Sequence, residues 1–334
     1  MRQLIDREAS LLGFQHVRVA SVGEQTPRID AFDRWLGAGH HGEMHYLPKR
    51  RDERADVRLR LQDARSAVVL ALEHHHRAPP DPGGLTGQVA RYAWGRDYHN
   101  LVGKRLRKLQ RRLREQDVPN WGGVDTAPIL ERAWAEAAGL GFSGKNCLQI
   151  LPAHGSWMFL AVLFVEAELQ PDTPLGDHCG SCRRCLDICP TGAFVGPRTL
   201  DARRCIAYWT IETRGVIPVS MRPGIGRWAF GCDACQEVCP HNVSAPDGDE
   251  DDLLPRNAWL DLPWLLESDD DAILARFQGT PIRRPGADAL RRNACIVLGN
   301  LGDTAAVPVL RSTVERASPL VVEHARWALE RLGG

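Results

Sequence analysis

The sequence predicts an α/β core, followed by a bacterial-type di-cluster ferredoxin module and closed by C-terminal helical repeats. Three observations carry this. Continuous apolar runs at 16–22 (HVRVASV), 66–73 (SAVVLALE) and 157–169 (WMFLAVLFVEAEL) suit strands of a buried sheet. Eight of the ten cysteines lie between Cys179 and Cys239 in two iron–sulfur spacings. The last segment repeats itself at an offset of 31 residues. The boundaries expected from these signals are 1–172, 173–246 and 247–334.

In the first stretch, MRQLIDREASLLGF reads as an amphipathic helix rather than a signal sequence, and there is no twin-arginine leader. Helical patterns follow at Ile29–Gly37, at 98–116 and at Pro128–Ala138. The middle one turns Leu101, Leu106, Leu109 and Leu113 inward. From Arg91 to Arg114 the chain carries nine Lys or Arg against the single Asp97, so its outer face is either solvated or tracks phosphates. Asp125 precedes a helix opening at Thr126 and Pro128, where an acid reads as a cap or a catalyst. His74, His75 and His76 invite a metal reading, but three adjacent histidines after a strand cannot all face one ion.

The second stretch opens after Pro171–Pro174. Its first run, Cys179, Cys182, Cys185 and Cys189-Pro190, is C-x2-C-x2-C-x3-C-P; its second is Cys205, a gap of 26 residues, then Cys232, Cys235 and Cys239-Pro240. In such modules three thiolates wrap one [4Fe–4S] cube and the fourth reaches the other cube. The expected ligand sets are therefore Cys179, Cys182, Cys185 and Cys239 for one cluster, and Cys189, Cys205, Cys232 and Cys235 for the other. Structural zinc also takes cysteine pairs two apart, but as separated pairs without a third cysteine or trailing prolines. The 26-residue insertion is rich in Tyr, Trp and Phe, and so should pack against something.

The third stretch begins with an acidic loop at Asp247–Asp252. Beyond it, Ala294, Leu298, Leu301 and Gly302 recur as Ala325, Leu329, Leu332 and Gly333, a HEAT-like pattern of amphipathic helices closed by glycine. Cys295 falls in the apolar stripe as a small core residue. The basic edge Arg283, Arg284, Arg291 and Arg292 is open to a large partner or to solvent. Over the 334 residues, 42 Lys and Arg balance 42 Asp and Glu, so no global field draws the chain to nucleic acid. No apolar run reaches the roughly 20 residues that cross a bilayer. Free thiols and clusters point to the cytoplasm.

Five separated motifs, GHHGEMHYL (39–47), YAWGRDYH (92–99), VDTAPILERAWAEAAGLGFSGKN (124–146), LDARRCIAYWTIE (200–212) and GCDACQEVCPHN (231–242), resemble the epoxyqueuosine reductase family over nearly the whole chain. The resemblance implies a cobalamin and di-[4Fe–4S] enzyme with a reductive-dehalogenase-like core. Such an enzyme removes the epoxide oxygen of epoxyqueuosine at the wobble position of tRNA, as the last step of queuosine synthesis. It implies Asp125 as proton donor, a role that calls for a carboxyl kept protonated by burial. Tyr98 and His99 become active-site partners, and Lys145, Asn146, Ser156, Tyr208 and Asp233 become cofactor contacts. The corrin carries no histidine on cobalt, and the Cys179–Cys185 cluster lies nearer to it. Expected partners are tRNA and a low-potential donor such as flavodoxin or ferredoxin, with the enzyme a monomer. Two positions depart from the family pattern: His241 stands where Trp is common, and Phe230 where Tyr is frequent. The competing readings are a reductive dehalogenase acting on a small molecule, and a non-catalytic electron-transfer or RNA-binding module.

Overall fold

The computed structural model describes residues 1–24 and 26–334. Its principal sheet uses β1 (His16–Ser21), β2 (Ser66–Glu73), β4 (Asn120–Gly123) and β5 (Met158–Val165) in the order β1-β2-β5-β4; β3 (Thr86–Val89) belongs to another sheet. The three apolar runs are the first three strands of that order. The pairings are all antiparallel, although doubly buried strands of this kind are more often parallel. Burial on both faces explains the unbroken apolar runs of β2 and β5, whereas β1 leaves Arg18 and Ser21 exposed. Val68, Leu70 and Leu72 face one core with Leu163 and Val165, while Ala67, Val69 and Ala71 face a second with Val162 and Phe164.

Helix α1 (Arg2–Leu11) and helix α2 (Tyr98–Arg114) cover the first face, burying Ile5, Ala9, Leu101, Leu106, Leu109 and Leu113. Helix α3 (Glu131–Ala137) covers the second through Trp134 and Ala135. It starts three residues later than expected, and its N-terminus has no side-chain cap. Asp125 is therefore not a helix cap. The predicted helix at Ile29–Gly37 forms over those residues. Strand β4 has no apolar signal because its NWGG sequence is half-buried at the sheet edge.

A second sheet ties the chain together. In it β3, from the first stretch, pairs in parallel with β6 (Trp228–Phe230), from the cysteine-rich stretch, and antiparallel with β7 (Trp259–Asp261), from the third. The aromatic insertion packs as expected. Ile206, Ile211, Ile217 and Phe230 share one core with Leu290, Ala294 and Val297 of helix α4 (Ala287–Leu301). The offset repeat falls on α4 and on α6 (Pro319–Leu332), with α5 (Val307–Arg316) between them. Gly302 and Gly333 close these two helices in the left-handed region at φ 71° and 72°, which glycine adopts at no steric cost. Gly299 lets α4 meet the backbone of Ala328 closely.

Half of the basic edge of the third stretch faces inward: Arg291 and Arg292 are buried, whereas Arg283 and Arg284 stay exposed. Arg292 is 0% exposed and donates to the carbonyls of Thr213, Gly215 and Trp209, while Asn293 donates to those of Thr210 and Ala229. Burial, with the charge of Arg214, pushes the Arg292 guanidinium down to about 10. Arg292→Leu should destabilise the protein by about 1–3 kcal/mol for each carbonyl left unpaired, read as a lower denaturation midpoint.

Candidate active site

Asp125 lies on the loop between β4 and α3, in the left-handed region at φ 51°. A non-glycine residue rarely adopts that conformation, and neighbouring contacts must hold it there. They do so from the start of α2. Tyr98 Oη donates to Asp125 Oδ2 at 2.9 Å, and His99 Nε2 meets the same oxygen at 2.7 Å. His99 Nδ1 contacts Asp97 Oδ1 at 2.7 Å, and Asp97 caps α2 by accepting from the His99 amide. Both ring nitrogens of His99 are thus engaged. Tyr98 stacks on Phe159 of β5 with centroids 4.3 Å apart and planes 4° from parallel, which fixes the phenol against the sheet.

The proton sits differently from the expectation. Burial pushes Asp125 up, but the hydrogen bond and charge of His99, helped by Tyr98, outweigh it and hold the carboxyl below its ordinary range. Burial would likewise lower His99, yet hydrogen bonds to Asp125 and Asp97 raise it to about 9. At neutral pH the resident proton is on the imidazole, one hydrogen bond from the carboxylate. The ion pair contributes its stability fully between the ordinary carboxylate range and about 6.5, the unfolded imidazole value; it is lost as pH rises through about 9, and again as pH falls through the depressed Asp125 value. Activity that uses this proton should fall above about pH 9, and His99→Gln should remove that alkaline limb from the pH–rate profile.

Sequence reasoning missed several neighbours. Arg284, exposed at the surface, pairs with Glu212 at 3.0 Å and adds positive charge near Asp125. Tyr46 lies in the same field, pushed up to about 12 by burial and by Glu212. Glu131, at the start of α3, is raised to about 8 by burial, and its Oε1 has no hydrogen-bond partner. Tyr46, Glu131 and Glu212 lie within the motifs at 39–47, 124–146 and 200–212, but nothing local marks them as neighbours of Asp125, and Arg284 lies outside all five motifs.

The structure brings the cysteines of each expected set near one another. Cys185 is raised to about 11 by burial and by the charges of Cys179, Cys239 and Cys182. Burial also raises Cys232, with Cys205 and Cys189 as its thiol neighbours. Cys205 in turn faces Cys189. Cys235 feels Cys232, Cys205 and also Cys185, so the two quartets abut. Thiolates crowded this closely repel one another unless a cationic core offsets their charge, and iron supplies one. The first quartet lines a cavity of about 170 Å³ with Lys145 and Asn146.

A family model described as "Epoxyqueuosine reductase QueG, DUF1730" matches residues 54–126, and one described as "4Fe-4S double cluster binding domain" matches 178–242. An epoxyqueuosine reductase of Pseudomonas aeruginosa is 42% identical over 96% of this chain and 92% of its own length. The chain belongs to the epoxyqueuosine reductase family. A second such reductase, from Xanthomonas campestris, is 40% identical over 96% of this chain and 93% of its own. A crystal structure of an epoxyqueuosine reductase with an epoxyqueuosine-modified tRNA-Tyr stem loop superposes with a TM-score of 0.92 at 30% identity, covering 100% of this chain and 90% of that one. The Bacillus subtilis reductase, solved with its aspartate catalytic loop swung out of the active site, gives a TM-score of 0.89 at 30% identity with the same coverage.

As a member of this family the chain is an oxidoreductase. Of its five expected cofactor contacts, two reach the cavity beside the first quartet: Lys145 Nζ donates to the carbonyls of Gly180 and Cys182 at 2.6 and 2.8 Å, and Asn146 donates to that of Cys235 at 3.3 Å. The other three are engaged in packing. Ser156 bonds Gln236 and Asn242, and Tyr208 Oη accepts from the Glu43 amide. Asp233, 2% exposed and raised to about 7 by burial, accepts from the Arg91 amide. His241 sets its ring edge against Phe142, and the fully buried Phe230 tilts against Tyr92.

Proposed function

We propose that this chain reduces epoxyqueuosine to queuosine at the wobble position of tRNA, using cobalamin and two [4Fe–4S] clusters. One observation supports it above the others: a strained, half-exposed aspartate, with a protonated imidazole behind it, lies in a chain that carries two thiol quartets and aligns end to end with reductases of this name. The reaction consumes two electrons and two protons; both epoxide C–O bonds break, an alkene forms and the oxygen leaves as water.

Both ring nitrogens of His99 are engaged by carboxylates, so His99 would serve the proton network rather than hold the cofactor. Lys145 and Asn146 would hold the cofactor's edge beside the first quartet. When bound, reduced cobalamin supplies a strong nucleophile or one-electron donor, fed through the clusters from flavodoxin or ferredoxin. The chain's own residues orient the ring and manage protons. Asp125 passes a proton from its pair with His99 to the epoxide oxygen as the C–O bond breaks, and Tyr98 keeps the carboxylate aimed. Asp125 stands on a loop in left-handed backbone, and the Bacillus subtilis reductase was solved with its aspartate catalytic loop swung out of the active site.

On this reading, residues 1–172 hold cofactor and nucleotide, 173–246 relay electrons, and 247–334 form a HEAT-like buttress, in a monomeric cytoplasmic enzyme. The anticodon stem lies along α2, which carries His99 at its start and extends about 26 Å. Arg105 and Arg112 are neutralised by Glu250 and Glu8. Lys104, Arg107 and Lys108 are exposed and, among the described residues, form no ion pair, leaving them free for phosphates. Replacing Lys104 and Lys108 by Glu should weaken tRNA binding and lower its salt-dependence slope by about 1 per lost contact.

The deciding experiment incubates cluster-loaded protein and a strong reductant with epoxyqueuosine-containing tRNA, with and without cobalamin, and weighs the nucleosides. Loss of one oxygen atom only when cobalamin is present supports the proposal. Binding without loss supports an RNA-binding module; neither binding nor loss supports a different reductive substrate.

A further inference from the structure

The histidine run at 74–76 does not form a metal site. His74 is buried, stacked on Phe159 with centroids 4.3 Å apart, and pushed down to about 3 by burial; His75 turns to the Pro246 carbonyl. The residue just before them is different. Glu73 ends β2 and is 8% exposed. Its Oε1 takes His16 Nε2 at 2.7 Å and His154 Nδ1 at 2.6 Å. The three side chains come from distant segments, and each offers an atom within 4.8 Å of the others. The two rings meet edge to face, with centroids 4.7 Å apart.

We propose that His16, Glu73 and His154 form a divalent transition-metal site of the zinc class, separate from the cysteine quartets. Two imidazole nitrogens and one carboxylate oxygen are a borderline-soft donor set, which suits zinc rather than magnesium or calcium. Three protein ligands leave a fourth position for water, and the side of the site formed by His154, whose side chain is 37% exposed, is open to solvent. Tetrahedral ligands with bonds of about 2.0–2.1 Å lie roughly 3.3 Å apart, so both contacts to Glu73 must lengthen by about 0.7 Å. The position of His154 allows this. It sits in a short turn closed by paired Leu151 and Gly155 backbone bonds, at the edge of the fold.

The site has a structural consequence. His154 directly precedes Gly155 and Ser156, and Ser156 bonds Gln236 and Asn242 on either side of the Cys239 ligand. An ion held by His16 and Glu73 would fasten that turn to the sheet, and with it one wall of the cluster module. The site needs no assumption about the reaction.

The test uses protein with both clusters loaded, kept anaerobic, and dialysed to equilibrium against buffered Zn²⁺ in the micromolar range. Zinc and iron per chain are then counted by mass spectrometry. The expected result is one zinc per chain with iron unchanged, together with a higher thermal midpoint. Binding should be at least about 100-fold weaker in His154→Ala and in Glu73→Gln, since a lost ligand costs more than a lost outer-shell partner. His154→Ala alters an exposed turn, which guards against a variant that fails through misfolding. Identical zinc isotherms for wild type and both variants, no zinc uptake at all, or uptake only as iron is lost would each overturn the proposal.

Discussion

Asp125→Asn should keep both clusters and bind tRNA at wild-type affinity, yet lose about 10²–10⁴-fold in turnover. The amide can still accept from Tyr98, so the loop stays anchored, but it carries no charge and passes no proton. A second effect follows from the geometry. His99 is raised to about 9 by two carboxylates, and removing one lowers its pKa. Residual activity in the variant should therefore fall at a lower pH than in the wild type. Single-turnover rates on epoxyqueuosine-containing tRNA across pH 6–10, with nucleosides read by mass, would measure both effects. Wild-type turnover in Asp125→Asn would remove the aspartate from the chemistry, whereas an unmoved alkaline limb would remove only its partnership with His99.

The crossed cysteine sets make an equally large prediction. Cys182 and Cys239 lie 57 residues apart in sequence, in different runs, yet both act electrostatically on Cys185. A Cys182→Ala/Cys239→Ala protein should lose one cluster, keep about half its iron and show no turnover, because the relay is cut. If each run wrapped its own cube, the same double variant would lose nearly all of its iron. Pairing Cys182→Ala with Cys235→Ala serves as the converse control, since it strikes both sets and should empty both. Iron content and the electron paramagnetic resonance of the reduced proteins separate these outcomes.

Much of this was legible in the sequence because it rests on local rules. The spacing of thiols between Cys179 and Cys239 has few chemical explanations, and the apolar runs at 66–73 and 157–169 had to be largely buried. The remainder depends on distant segments meeting. The short strands Thr86–Val89 and Trp228–Phe230 carry no alternation to betray them and exist only because they pair. Arg292 looked like surface charge, since nothing near it in sequence announces the carbonyls at 209–215. The protonation of Asp125 was misjudged for a similar reason. Burial alone argues for a neutral acid, and only the placement of His99 reverses the sign.

The three-stranded sheet built from β3, β6 and β7 also bears on how the protein is made. Its strands come from the three successive stretches 1–172, 173–246 and 247–334, and the last ends at Asp261. During synthesis the cysteine segment leaves the ribosome before its flanking sheet can close. Between those events the thiols of 179–239 hang on an unfinished scaffold, open to iron–sulfur donors and to oxidants alike. The order of the strands thus sets a window in which the clusters can be delivered. A chain stalled before residue 259 would hold all eight cysteines but lack the third strand of that sheet.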